Sequence, residues 1–274
     1  MSPDAPPRDA ATAEALLSFW ASAGVDTCYE DTAVDRTARS AIVRAPGKPI
    51  AASRGNVAAP IEPGVAASSD ALAEARRMAS GAATLEDLAI AIAAFDGCPL
   101  KSAGARRAVF SRGAADAPVL VIGEAPGADE DVQGEPFVGR AGRLLDRMLR
   151  AASLENRVFI TNTVFWRPPG NRTPTPAEQQ VCAPFLERAI DLVGPRALLI
   201  VGGASAKAVL GVGEGILSIR GRWFEWRSPG GTAVIPALPT LHPAFLLRQP
   251  AAKKKTWADM LTLSERLDRM KRST

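Results

Sequence analysis

The stretch Pro118-Val-Leu-Val-Ile-Gly-Glu-Ala-Pro-Gly-Ala-Asp-Glu-Asp131 decides the fold. Four consecutive apolar residues run straight into a turn rich in glycine, proline and acid. A short, uniformly apolar run bounded by turn residues reads as a strand buried on both faces. Three further runs match it: Val158-Phe-Ile-Thr161, Ala197-Leu-Leu-Ile-Val201 and Thr232-Ala-Val-Ile-Pro236. Helical periodicity fills the intervals, over 140–152, about 176–193, a short piece from Ala204, and about 251–271. Strands of this kind separated by helices predict an α/β protein, a three-layer α/β/α sandwich around a central parallel four-stranded sheet. In such sheets ligands bind beyond the carboxyl ends of the strands.

Upstream the chain changes character. Residues 1–33 hold one short amphipathic helix, over 12–25 and closed by Gly24. Residues 34–69 are Ala, Pro, Gly, Ser and Arg with little periodicity, the composition of a disordered linker. A helical lead-in is predicted over 70–97, where Thr84 caps a helix reaching Phe95, and the main domain spans 98–274. Charge divides the same way: residues 1–97 carry 8 Lys and Arg against 13 Asp and Glu, and residues 98–274 carry 25 against 16. The net charge of +4 thus conceals a basic C-terminal two-thirds, a weak pointer to nucleic acid. No apolar run reaches the roughly 18 residues of a membrane span. The N-terminal Met-Ser-Pro-Asp-Ala-Pro-Pro lacks the features of a signal peptide, so a cytoplasmic protein without a membrane partner is expected. Cys28, Cys98 and Cys182 are odd in number and widely spaced, as free buried thiols rather than a disulfide framework.

Three loops leave the predicted strand ends with unusual chemistry. In the first, Gly123 and Gly127 let backbone amides approach a ligand and Pro126 stiffens the turn. Farther along it, Phe137, between Pro136 and Gly139, makes a stacking platform for a flat ligand. A phosphate cradle is the alternative, although the loop is neither a Walker loop nor a dinucleotide fingerprint. The second strand delivers Asn162, whose amide suits the reading of a base edge and equally the capping of a strand. It continues into Arg167-Pro-Pro-Gly-Asn-Arg-Thr-Pro-Thr-Pro176, where Arg167 and Arg172 among prolines suit phosphate contacts. The fourth strand delivers His242, the one imidazole in the chain, either a proton donor near neutral pH or a core histidine ending a strand. A stacking aromatic, an edge-reading amide and a histidine at one end of a sheet describe a pocket for a base extracted from nucleic acid.

The ordered segments GEAPGADED, GEPFVGRAG, TNTVFWRPPGNRTPTP and LHPAFLLRQP resemble the family 4 uracil-DNA glycosylases over about residues 98–274. The resemblance implies hydrolysis of the bond between uracil and deoxyribose, on single- or double-stranded DNA, by a monomer acting in base excision repair. It implies that Phe137 stacks on uracil, that Asn162 bonds its O4/N3 edge and that His242 donates to O2 as the base departs with negative charge. Glu124, with the adjoining backbone of Gly123 and Ala125, would bind uracil and help place the attacking water, with Glu130 and Asp131 as nearby carboxylates able to share that task. Phe245, Leu246 and Leu247 become candidates for a minor-groove wedge, and Arg248, Lys253, Lys254 and Lys255 for phosphate contacts. Where relatives usually carry serine and tyrosine, this chain has Ala244 and Phe245.

The larger departure concerns iron. Members of the family typically hold a [4Fe-4S] cluster on four cysteines; here the matching positions are Phe95, Cys98, Trp166 and Cys182. Phenyl and indole cannot replace thiolate, so no cofactor is expected. A member that has lost activity and only binds uracil-containing or single-stranded DNA is the rival expectation. No lysine occupies the motifs, so Schiff-base lyase chemistry is not expected.

Overall fold

The computed structural model describes residues 69–272. The helix expected over 12–25 and the linker expected over 34–69 lie outside these residues, apart from Ser69. Helix α1 (Ser69–Gly81) leads to α2 (Leu85–Ala94), whose Thr84 cap is as predicted: its hydroxyl accepts from Asp87 N while the Asp87 carboxylate accepts from Thr84 N. A single turn, α3 (Pro99–Ser102), follows. The chain then alternates through β1 (Arg112–Gly113), β2 (Val119–Gly123), α4 (Ala128–Gln133), α5 (Arg140–Ala151), β3 (Val158–Asn162) and α6 (Pro176–Val193). It closes with β4 (Ala197–Val201), α7 (Gly203–Leu210), α8 (Ile216–Ile219), β5 (Phe224–Arg227), β6 (Val234–Thr240), α9 (Pro243–Arg248) and α10 (Lys253–Arg272).

The sheet has six strands in the order β1-β3-β2-β4-β6-β5. Its inner four, β3, β2, β4 and β6, are parallel, as the sequence predicts; β1 and β5 add antiparallel edges to each side. Neither edge is legible in sequence: β1 is only Arg-Gly, and β5 buries just Trp226 fully. The fourth predicted strand, over 232–236, begins later and runs on to Thr240, through Pro236 and Pro239. A proline removes a donor and keeps its carbonyl, and Pro236 still pairs with Glu225 and Pro239 with Ile200, so the strand runs through both.

Burial on both faces explains the uniform strands. Leu120, Ile122, Leu198 and Ile200 pack into one core with α1, α2, α6 and α7. Val119, Val121, Leu199 and Val201 point the opposite way, into a second core with α5 and α10. With no solvent face, no polar alternation survives. Among the described residues no helix is long and apolar enough to cross a membrane.

The chain passes from β2 to β3 on one side of the sheet and returns to β4 on the other, which opens a crevice above the C-terminal end of β2. The loops after β2, β3 and β6 meet there.

Candidate active site

A cavity of about 510 Å³ occupies that crevice, lined by Glu124, Ala125, Pro126, Gly127 and Glu130 after β2, Phe137 and Ala141 beside α5, Asn162 and Pro168 after β3, and His242, Ala244, Phe245 and Arg248 around α9. Thus Glu124, Ala125, Phe137, Asn162 and His242, scattered over more than a hundred residues, line one space. Gly123 lies beneath it: a Cβ there would stand 2.3 Å from Asn162 Oδ1 and 2.5 Å from Phe137 Cζ, so only glycine lets the amide and the ring close in.

Phe137 has φ of 58°, the left-handed region that a bulky residue seldom adopts. Arg112 and Glu130 hold it there. The Arg112 guanidinium donates to the carbonyls of Pro136 (2.8 Å) and Phe137 (3.3 Å) and is anchored by Asp146 at 2.6 Å. Glu130 Oε1 accepts from Val138 N and Gly139 N, each at 3.0 Å, while Oε2 accepts from Gly127 N at 3.1 Å. One carboxylate therefore ties the GEAPG turn to the PFVG turn. Glu130 is three residues past Gly127, a spacing that signals helix capping, so its tie to Gly127 was open to a sequence reading. Arg112 lies on the edge strand with no signal of its own.

That arrangement separates the carboxylates. Glu130 is spent on three amides, and Asp131 is buried and accepts from Arg106 N at 2.8 Å. Both carboxylates thus hold backbone amides in place, and of the two it is Glu130 that also lines the cavity. The Glu124 side chain lines the cavity, and among the described residues nothing hydrogen-bonds it.

Asn162 is almost wholly buried, and its Oδ1 has no hydrogen-bond partner. A buried acceptor without a donor costs about 1–3 kcal/mol, so it marks a place where a ligand N–H belongs. His242 caps α9: its Nδ1 accepts from Ala244 N at 3.1 Å. Burial, and then the positive charge of Arg248, hold its pKa down to about 4 against a smaller opposing pull from Glu130. The ring is therefore neutral at physiological pH. Since Nδ1 accepts, the single proton resides on Nε2, which makes Nε2–H a donor. The ring stacks beside Phe137, with centroids 5.7 Å apart and planes at 30°.

The expected DNA contacts fare unevenly. The segment after His242 is a helix, α9, rather than a loop. Leu246 within it is fully buried against Leu144 and Leu241, so it cannot serve as a wedge. Phe245 and Leu247 are half-buried, whereas Arg248 and Lys253–Lys255 are exposed. Arg172 is committed to a bidentate pair with Glu178 (2.6 and 2.9 Å). Burial pushes the Glu178 carboxyl up, but the Arg172 and Thr175 bonds outweigh it and hold the carboxyl below its usual range. Arg167 donates to Asn171 Oδ1 at 2.7 Å.

Phe95, Cys98, Trp166 and Cys182 do converge, inside the core shared with α1, α2 and α6. The Phe95 ring lies 6.5 Å from Trp166 and 5.2 Å from Phe185. The two sulfurs are 3.8 Å apart, in mutual contact. A four-thiolate cluster must stand between its ligands, and here two ligands are aromatic and no space separates the remaining two. The residues present do not fit the group.

The part of the chain that carries this cavity is similar to known proteins. The sequence profile of the Uracil DNA glycosylase superfamily matches residues 110–261. A Type-4 uracil-DNA glycosylase from Thermotoga maritima is 40% identical over 153 residues, covering 55% of this chain and 77% of that protein. One from Pyrobaculum aerophilum is 38% identical over 170 residues, covering 60% and 85%. Another, from Sulfurisphaera tokodaii, is 38% identical over 164 residues, covering 58% and 74%.

Proposed function

Because the chain belongs to the Uracil DNA glycosylase superfamily, we propose that it flips uracil out of DNA and hydrolyses the bond between the base and deoxyribose, leaving an abasic site for base excision repair. The observation that carries the reading is the orphaned Asn162 Oδ1. Uracil presents an N3–H donor beside its O4 acceptor, which matches an amide presenting oxygen and NH₂ together; cytosine presents an acceptor at N3 and would face Oδ1 lone pair to lone pair.

The remaining residues supply the chemistry. Phe137 stacks on the ring and fixes its plane. The bond breaks with positive charge growing on the sugar and negative charge on the base. His242 Nε2–H, aimed at O2, stabilises charge that exists only late in that process, so it favours the transition state over the bound substrate. A neutral imidazole suits this role: it donates a hydrogen bond without having to surrender the proton. Glu124 orients the attacking water and, as an anion, stabilises the cationic sugar. Arg248 and Lys253–Lys255 lie on the exposed side of α9 and the start of α10, where phosphates would meet them, and Phe245 and Leu247 are the remaining wedge candidates. The protein works as a monomer without Schiff-base chemistry and without an iron–sulfur cluster; the contact between Cys98 and Cys182 supports the last point.

Cleavage of a single-uracil oligonucleotide by purified protein tests the proposal, with His242→Ala alongside. Abasic product that falls about 10²–10³-fold in the variant is the expected result. Tight binding to the uracil strand with no product from the unaltered protein would overturn it and leave a DNA-binding protein.

A further inference from the structure

Cys98 and Cys182 take no part in the proposed hydrolysis, and their chemistry is independent of it. Cys98 stands in the turn that starts α3 and Cys182 in the middle of α6, 84 positions away, yet their sulfurs lie 3.8 Å apart. A disulfide bond spans about 2.05 Å, so small rotations of two side chains, about 2 Å of combined approach, would join them. Both are almost wholly buried in one core; Cys98 lies between half-buried Gly97 and exposed Pro99 at the start of α3, whereas Cys182 faces the core from α6.

The two sulfurs also differ chemically. The hydrogen bond from Cys182 lowers the pKa of the Cys98 thiol most, and the backbone N–H groups of Leu100 and Lys101 lower it further against the opposing effect of burial. Burial first, and then the Cys98 sulfur, raise the pKa of Cys182. With its sulfur at the start of α3 beside the exposed Pro99, Cys98 is the member of the pair placed to attack first, and Cys182, in contact at 3.8 Å, is placed to resolve.

We propose that Cys98 and Cys182 form an oxidisable dithiol that a hydroperoxide converts to an intramolecular disulfide, fastening the turn before α3 to α6. In the first step the Cys98 thiolate attacks a peroxide oxygen. The O–O bond breaks, the departing oxygen takes up a proton, and Cys98 becomes a sulfenic acid. In the second, the Cys182 sulfur attacks the Cys98 sulfur, the S–O bond breaks, and hydroxide leaves with the Cys182 proton as water. Two thiols lose two electrons and two protons, and hydrogen peroxide is reduced to two waters. The link closes a long loop, so it restricts the unfolded chain and stabilises the folded one.

The test uses the full-length chain with Cys28→Ser, so that only the pair remains, treated with hydrogen peroxide, then denatured and alkylated. The expected product has lost two hydrogens, takes up no alkyl group, and yields a peptide joining Cys98 to Cys182 that dithiothreitol separates. Its thermal unfolding midpoint lies above that of the reduced protein. In Cys182→Ser the oxidation halts at a sulfenic acid on Cys98, trapped by dimedone. The same linked peptide sought in the unaltered chain repeats the test without any substitution. Two alkylated thiols, oxygen added to one sulfur with no link, or a linked protein that melts earlier than the reduced one would each overturn the proposal. No glycosylase activity enters these readouts.

Discussion

Phe137 and His242 stack across the cavity, their ring centroids 5.7 Å apart and their planes 30° from parallel. One ring stands on a turn ahead of α5 and the other at the start of α9, so the contact joins two separate parts of the chain. Each ring is placed by backbone rather than by side-chain packing alone. The turn under Phe137 is forced into the left-handed region by Arg112 and Glu130, and the imidazole is fixed by the Ala244 amide. Strain retained at a cavity wall is a common companion of preorganised sites.

Gly142 is where that turn meets α5. A Cβ at this position would lie 1.6 Å from Phe137 O and 2.0 Å from its carbonyl carbon, so backbone would have to move. Alanine in a helix normally gains up to about 1 kcal/mol over glycine. Here the clash reverses the sign, and Gly142→Ala should lose about 1–3 kcal/mol in urea unfolding together with most of its uracil excision. Gly81→Ala, with nothing within 4 Å of the added carbon, is the control and should change stability by less than about 1 kcal/mol. A Gly142→Ala protein as stable and active as its parent would remove the case for a braced Phe137.

Asn162 combines a binding role with a cost. Its unpartnered Oδ1 burdens the free protein, so Asn162→Leu, similar in size and without the orphaned acceptor, should melt no lower than the parent. The same change removes the edge recognition, and excision of uracil should fall by about 10²-fold or more. Stability that rises while activity collapses separates a functional residue from a structural one. A variant that unfolds earlier would mean that the amide serves the core instead.

Much of this was legible in sequence because the inner strands are buried on both faces and therefore appear as unbroken apolar runs. The helices were equally plain where side chains signal their ends, as with Thr84 for α2. What escaped depends on long-range contacts. The edge strands β1 and β5 exist through pairing to β3 and β6, and two prolines disguised the reach of β6. The pocket residues were recognisable by type and by their motifs, but the division of labour among carboxylates was not. Only hydrogen-bond geometry shows that Glu130 and Asp131 are already engaged, and only packing shows that Leu246 faces inward.

That division predicts unequal effects of the same chemical change. Glu124→Gln alters a side chain that nothing in the described residues hydrogen-bonds, so folding should be unaffected while excision drops by about 10²–10⁴-fold. In Glu130→Gln one oxygen becomes an NH₂ group, which must face either Gly127 N–H or the Val138 and Gly139 N–H groups, donor against donor. Stability should fall by about 1–3 kcal/mol, and activity with it through the displaced Phe137 turn. Chemical denaturation and single-turnover excision on both variants check the split. Equal stability losses in the two would refute it.

The single histidine makes the last prediction direct, because its imidazole signals are the only ones of their kind in a proton spectrum. With burial and Arg248 holding the pKa at about 4, those signals should show no titration near 6.5 and should move only as pH approaches 4. The linked effect on stability has a definite sign. Above about pH 6.5 the imidazole is neutral in both folded and unfolded chains and contributes nothing. Between about 6.5 and 4 the unfolded chain takes up a proton that the folded chain refuses, so stability falls as pH falls, by on the order of 3 kcal/mol, and the loss levels off below about 4. Carboxylates titrate in the same range, so the comparison must be with His242→Asn, which retains an acceptor for Ala244 N and removes the titration. The stability advantage of the parent over this variant should shrink steadily from pH 7 to pH 4. A histidine that titrates near 6.5 would replace the neutral donor with an ordinary exchangeable acid, and the O2 contact would then have to be made by imidazolium over part of the working range.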